Sequence, residues 1–250
     1  MVDHLSRTKS NRFSCAVVGK PGVGKTSLIK TIYGYEFDER NRKWNKTNKS
    51  DERVCILSAD RDNVALDDLY DDSDISVEGF QINSFKDFTE IYNFFLHSDE
   101  AKEKYNWIFI DSGTEIAEYC DNVMKEKYES NNYKRWDMFY QAFIDTLRNF
   151  KNMEPYNVVI TFLEEVDKDI NNIRYIDVLV PGNKVGPKIR AMFDELFYMV
   201  NIKDADGINK TGCLTHPYNE YPAKDHSGKL DLWEEPNLLK IRNKIKSISI

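Results

Sequence analysis

Short unbroken apolar runs alternate along this chain with stretches in which apolar residues recur every three or four positions. The runs FSCAVV (13–18), RVCILSAD (53–60), YNWIFIDSG (105–113) and NVVITFLEE (157–165) are too short for helices and are bounded by polar or glycine-rich residues, so each is predicted as a buried strand. ISVEGFQI (75–82) is a weaker strand candidate. Helical spacing appears first at Ser27–Ile32. It returns after Ser84, where Phe85, Phe88, Ile91, Tyr92, Phe95 and Leu96 share one face and Asp87 completes an S-x-x-D start signal. Trp136, Phe139, Tyr140, Phe143, Ile144, Leu147 and Phe150 mark a long amphipathic helix, and their aromatic rings are read as core. Beyond residue 165 the pattern loosens into an Asn-, Asp- and Gly-rich stretch, with a short apolar segment at Ile176–Val180 and a further helix from Pro187. FYMVNI and KTGCLTH then read as two strands joined through DADG. Strands alternating with helices predict an α/β fold: a mostly parallel sheet with flanking helices and a late antiparallel edge.

Between the first strand and the first helix stands GKPGVGKTS, which fits G-x-x-x-x-G-K-[ST] at every fixed position. Gly19, Lys20, Pro21, Gly22, Val23, Gly24, Lys25, Thr26 and Ser27 are therefore the expected nucleotide-binding residues. Glycines let consecutive backbone N–H groups close around a phosphate, Lys25 brings a positive charge to the β- and γ-phosphates, and the Thr26 hydroxyl suits Mg²⁺. The strand before the loop and the helix after it are the context in which the motif carries meaning.

Hydrolysis needs carboxylates beyond the phosphate cradle. WIFIDS ends four apolar residues on Asp111, the expected second contact to Mg²⁺. Asp60, closing ILSAD, is the first choice for the acid that activates water, because parallel strands end on the same edge of the sheet as the loop. Glu115 is its rival. Thr161 or Glu164 on the strand VVITFLEE could sense the γ-phosphate. ATP and Mg²⁺ are thus the expected cofactors, with Lys25, Asp60 and Glu115 as catalytic candidates and Thr26 and Asp111 as metal contacts. Other P-loop classes fit less well. None of the N-K pairs is read as the N-K-x-D guanine clamp of a GTPase, DSGT does not supply a D-x-x-G switch, and segment 165–190 has too few arginines for a small-molecule kinase lid.

Length and charge narrow the remaining choices. With 250 residues, 41% of them hydrophobic and 31% charged, the chain suits one large domain with a sizeable core. No apolar run nears the roughly eighteen residues needed to cross a membrane, and MVDHLSRTKSNR lacks the apolar region of a secretory signal, so a cytoplasmic site is expected. The four cysteines, Cys15, Cys55, Cys120 and Cys213, lack zinc-ligand spacing and are expected as reduced thiols. A net charge of −7 argues against coating nucleic acid with the whole surface. Local strips remain. RNRKWNKTNK (40–49) has five basic side chains around Trp44, which could stack on a base; KIRNKIKSISI holds four more cations; LDDLYDDSD carries five aspartates that would repel DNA. The expected layout is a polar segment at 1–12, one ATPase domain over 13–230 with a basic insertion at 35–52, and a tail at 231–250.

Taken in order, VVGKPGVGKTSL, VCILSAD, YNWIFIDSGTEI, NVVITFLEE, PGNKVGPKIRAMFDELFYM and CLTHPYNEYPAKDHSGKL resemble the phage-encoded RecA-like ATPases of the Sak type, over about residues 13–230. The resemblance implies a RecA-like P-loop NTPase core that binds ATP and Mg²⁺, with Asp60 as the catalytic acid. It also implies single-stranded DNA as partner in recombination or annealing, with the segment after VVITFLEE facing the DNA, in the host cytoplasm. Such ATPases commonly assemble as homo-oligomers with nucleotide near a subunit interface, and Lys188, Arg190 and Lys224 are the candidates for a cation given to a neighbour. His226 and Leu163 depart from the family pattern, at positions where arginine and a polar residue are usual. The alternatives are a P-loop phosphotransferase, or a nucleotide-dependent assembly NTPase that does not act on DNA.

Overall fold

The computed structural model describes residues 12–60, 64–168, 171–203 and 209–247. The chain starts with strand β1 (Ser14–Gly19), passes through the glycine-rich loop into helix α1 (Leu28–Ile32), and forms a hairpin of β2 (Tyr35–Asp38) and β3 (Lys43–Lys46). Next come β4 (Val54–Ser58), α2 (Asp67–Tyr70), β5 (Glu78–Gln81), α3 (Phe85–His97), α4 (Asp99–Lys104) and β6 (Trp107–Asp111). Two long helices follow, α5 (Gly113–Lys127) and α6 (Asn132–Lys151). Then β7 (Asn157–Lys168), β8 (Arg174–Val178), α7 (Val185–Met192), β9 (Glu195–Lys203), β10 (Asn209–Leu214), β11 (Lys224–Asp225), β12 (Trp233–Glu234) and α8 (Leu238–Lys246) complete the chain.

All but β2 and β3 join one sheet, whose main path runs β12-β10-β9-β1-β7-β6-β4-β5, with β11 added to β9 and β8 to β7. From β9 to β5 every neighbouring pair is parallel. The antiparallel pairs are β10 on β9, β11 on β9, β12 on β10 and β8 on β7. This is the mostly parallel α/β architecture with a late antiparallel edge that the strand pattern predicts. Alternation along β1 sends Ala16 and Val18 into the core under α3, α5, α6 and α7, and Cys15 and Val17 into the opposite core under α1 and α8. Sequential crossovers bring the C-terminal ends of β1, β7, β6 and β4 to one edge. All four cysteines are buried free thiols.

Four elements differ from expectation. Helix α5 has only a weak apolar pattern in the sequence, because its buried residues Ile116, Ala117, Cys120 and Met124 are small or widely spaced among charges. On α3, Phe85, Phe88 and Phe95 are buried while Leu96 faces solvent, a position at the margin of the apolar stripe. The stretch after residue 165, read as a loose loop, is a hairpin: β7 continues to Lys168 and pairs with β8 from Glu164↔Val178 to Lys168↔Arg174. Residues 231–247, read as part of a tail, are packed into the fold. Strand β12 pairs with β10, and Leu238 and Ile241, three apart on α8, bury themselves against the core that α1 lines.

The two opposite charge runs prove to be partners. Lys46 lies 2.8 Å from Asp72, which also accepts a hydrogen bond from the Tyr35 hydroxyl at 2.5 Å, and these contacts hold the Asp72 carboxyl down at about 2. Lys30 reaches Asp68 at 2.5 Å. Its Nζ lies 5.3 Å from the centroid of the Trp44 ring, which packs on Phe37 at 5.2 Å. Trp44 is therefore occupied as a packing residue. The C-terminal cations are likewise engaged, Lys240 with Glu36 at 2.6 Å, Arg242 with Glu52 at 2.6 Å and Lys244 with Asp231 and Glu234.

Candidate functional site

The site lies where β1, β7, β6 and β4 end. Gly22 and Gly24 take positive φ values of 74° and 99°, which residues with a Cβ adopt only under strain, and so the loop curls back over the end of β1. A Cβ on Gly19 would stand 2.9 Å from the Met199 carbonyl oxygen of the neighbouring strand, which restricts this corner to glycine. Hydrogen bonds from Leu28 N to Lys25 O and Ile29 N to Thr26 O carry the loop into α1. Lys25 is buried. Its Nζ donates to the carbonyls of Gly19 at 2.8 Å and Lys20 at 2.9 Å, closing the loop on itself. Burial lowers its pKa against the opposing pull of Asp111, Glu164 and Asp60.

Asp111 is buried between two threonines. Its Oδ2 accepts from the Thr26 hydroxyl at 2.5 Å and its Oδ1 from the Thr161 hydroxyl. An oxygen donor from the loop, Thr26, thus meets one from the end of β6, Asp111, a hard-oxygen set that suits Mg²⁺. Among the described residues no three His, Cys, Asp or Glu side chains are grouped to hold a metal. A Mg²⁺ here would be held by Thr26, Asp111, water and the phosphates of the nucleotide.

Across the sheet, Ser58 on β4 pairs with Asp111, and Ala59 N donates to the Asp111 carbonyl at 2.7 Å, which brings the Asp60 backbone to the same edge. Ser58 Oγ donates to the Asp60 carbonyl at 2.8 Å, fixing the turn. The Asp60 carboxyl is exposed, and its pKa is raised by partial desolvation and by the charge of Asp111, with Lys25 opposing. Glu115, on the first turn of α5, is pushed up by desolvation and then by Asp60. Both acids therefore stand within electrostatic reach of each other.

Residues 111–115 each have a separate task. Asp111 holds the threonines, and Ser112 caps α5 by accepting from Glu115 N at 3.4 Å. Gly113 lies so flat on β7 that a Cβ would come within 2.3 Å of the Phe162 ring. Thr114 donates to the Leu179 carbonyl and accepts from Leu163 N, both at 3.0 Å, tying α5 to the hairpin of β7 and β8. The S-x-x-E spacing of Ser112 and Glu115 was a signal in the sequence for this helix start.

The sequence profile of a family described as an AAA domain matches residues 11–227. The chain belongs to the AAA domain family. No curated protein matches it. Among solved structures, a prototypical ATPase from the type III secretion system of pathogenic bacteria aligns with 75% of this chain and 52% of its own, at 13% identity and a TM-score of 0.48. This AAA domain thus spans about half the length of that ATPase.

Several expectations change once the AAA domain is seen whole. Thr161 is committed to Asp111 and so is not free to meet a γ-phosphate. Glu164 stands instead where β7 runs past the end of β1, one residue beyond the Leu163↔Gly19 pair, with both carboxylate oxygens buried and, among the described residues, lacking a hydrogen bond. One N-K pair does spell N-K-x-D, at Asn48-Lys49-Ser50-Asp51. It precedes β4 and lines a cavity of about 260 Å³ with α8 residues, at the edge opposite the P-loop, so it is no guanine clamp. Of the cations considered for a neighbour's site, Arg190 lies 3.0 Å from Asp177 and Lys224 donates to the Arg190 carbonyl at 3.0 Å, so both serve the fold. His226 is exposed beside Asp194. No helix among the described residues is long and apolar enough to cross a membrane.

Proposed function

We propose that this AAA domain binds ATP with Mg²⁺, hydrolyses it, and uses the cycle to act on single-stranded DNA. The observation that carries the chemistry is the meeting of Lys25, Thr26, Asp111 and the Asp60–Glu115 pair at one sheet edge. Backbone N–H groups within residues 19–27, other than Pro21, which has none, would surround the phosphates, and Lys25 would turn from the loop carbonyls towards them. Bound Mg²⁺ supplies charge neutralisation at the β- and γ-phosphates. Asp60 orients the attacking water and accepts its proton as the water oxygen bonds to the γ-phosphorus and the bond to the ADP oxygen breaks. A carboxyl raised from the usual range serves that role better than a fully solvated one. Glu115 holds the second place.

The DNA reading rests on the resemblance to the Sak-type ATPases of phage recombination and on the position of the hairpin formed by β7 and β8. It leaves the strand beside the P-loop, and Lys168, Lys184 and Lys188 lie on it or shortly after it. The cations of the β2–β3 hairpin and of α8 are a poorer footprint, since Lys46, Lys240, Arg242 and Lys244 are ion-paired. A homo-oligomer with nucleotide near the subunit interface follows from the same reading, with Lys188 as the cation offered to a neighbour. The engaged cations and net charge of −7 favour a second reading, an assembly NTPase or phosphotransferase that ignores DNA. ATP turnover measured with and without single-stranded DNA separates the two. Strong stimulation supports the first reading, and turnover indifferent to DNA supports the second.

A further inference from the structure

The backbone ladder of β4 gives out just before Asp60. The Ser58 carbonyl still accepts from Ile82 N at 2.7 Å, and Ala59 N donates to the Asp111 carbonyl at 2.7 Å. Asp60 is the first residue past these bonds. Among the described residues, the hydrogen bonds to Asp60 both come from side chains and both end on its carbonyl oxygen, from Ser58 Oγ at 2.8 Å and Gln81 Nε2 at 3.4 Å. Gln81 closes β5 and stands opposite Ser58 in the parallel register. Its amide also donates to the Ser58 carbonyl at 3.1 Å. Two carbonyl oxygens can be met only by the nitrogen of an amide, which decides which way round the side chain lies. From α5, one helical turn beyond Glu115, the Tyr119 hydroxyl reaches the Ala59 carbonyl at 3.5 Å.

These bonds secure the main chain of Asp60 and leave its exposed carboxylate to meet water. The aim of that carboxylate is set by the peptide planes on either side of the residue. The plane that follows Asp60 carries the carbonyl gripped by Ser58 and Gln81. Ser58 belongs to the same turn and moves with it, whereas Gln81 ties the turn to another strand, itself held to β4 from Cys55↔Glu78 to Ser58↔Gln81. We propose that Gln81 is a positioning residue for hydrolysis: its amide clamps the turn 58–60 so that the Asp60 carboxylate faces the water that attacks the γ-phosphate. The inference rests on the reading of Asp60 as the base, given above. The geometry of such a step is demanding, since a displacement of about 1 Å can cost on the order of a hundredfold in rate. The clamp is thus a matter of rate, not of nucleotide affinity.

The test uses the full chain as wild type, Gln81→Met, Gln81→Glu, Asp60→Asn and the double variant Asp60→Asn with Gln81→Met. Turnover is read at saturating ATP with Mg²⁺, affinity by calorimetry with a non-hydrolysable ATP analogue, and stability by thermal unfolding. Methionine keeps the length of glutamine and donates nothing, so turnover should fall by roughly tenfold to a hundredfold while affinity and melting temperature hold. Gln81→Glu should lose at least as much, because it turns a carboxylate towards two carbonyl oxygens. In the double variant the clamp has no base to aim, so turnover should equal that of Asp60→Asn alone. A merely structural residue would lower affinity and melting temperature along with turnover, and its loss would multiply with that of Asp60→Asn. That result, or normal turnover in Gln81→Met, overturns the clamp while leaving Asp60 as the base. Normal turnover in Asp60→Asn overturns the base and the clamp with it.

Discussion

Asp111 gives the sharpest test of the site, because the same two oxygens serve the fold and the metal. Each accepts one threonine hydroxyl, from Thr26 and from Thr161, in a residue that is 3% exposed. Asp111→Ala removes both acceptors, and hydrogen bonds to a charged group are worth about 1.5–3 kcal/mol each. Thr161 can turn its hydroxyl to the Ile110 carbonyl at 3.4 Å, and Thr26 is partly exposed, so a net loss of about 3 kcal/mol is a fair expectation. For a chain of this size that lowers the melting temperature by roughly 6–12 °C. Asp111→Asn keeps shape and one oxygen, so its melting temperature should fall far less. Both variants lose the anionic metal contact. Mg²⁺-dependent binding of a fluorescent ATP analogue, measured beside thermal unfolding, should therefore fail in both while stability fails only in the alanine variant. An asparagine variant with unchanged Mg²⁺ dependence refutes the metal assignment, and an alanine variant with unchanged melting refutes the structural half.

Lys25→Ala should weaken ATP binding by about tenfold to a hundredfold, the equivalent of one charge-assisted contact, and abolish turnover with little change in melting; normal turnover would remove the P-loop from the mechanism. Asp60→Asn should bind ATP nearly as the wild type does and lose on the order of a hundredfold or more in turnover; if Glu115→Gln does this instead, the two acids exchange roles. Replacing Lys184 and Lys188 with alanine should flatten the salt dependence of single-stranded DNA binding by up to roughly two phosphate contacts, whereas replacing Arg42, Lys43 and Lys46 should not, and the reverse result would move the DNA to the β2–β3 hairpin. Glu195, the first residue of β9, is pushed up to about 8 by burial and by Asp225. An acid whose folded pKa lies above its usual 4.5 costs stability increasingly as pH rises between those values. Glu195→Gln should thus raise the melting temperature more at about pH 8.5 than at about pH 5, and an equal change at both would refute the sign.

How much of this was legible beforehand depends on how local the signal is. The P-loop is local: its glycines, Lys25 and Thr26 are adjacent in sequence, and their φ requirements and spacing state the chemistry. The strands FSCAVV, VCILS, WIFID and NVVITF are equally plain, since a strand buried on both faces must be apolar at every position. Asp111 could be chosen because an acid ends such a strand. Pairings between distant segments left no such trace. Nothing in RNRKWNKTNK announces that Lys46 will find Asp72, or that Trp44 will lie over Phe37 and beneath Lys30, because an ion pair depends on where the sheet crossovers bring two loops. The commitment of Thr161 to Asp111 is invisible for the same reason, the register of β6 on β7 being set by the whole core. The sequence by itself determined the phosphate cradle and the parallel sheet, whose requirements act between near neighbours. Only the tertiary structure decided which charges remain for function and which are spent on the fold, because those energies depend on distances between residues tens of positions apart.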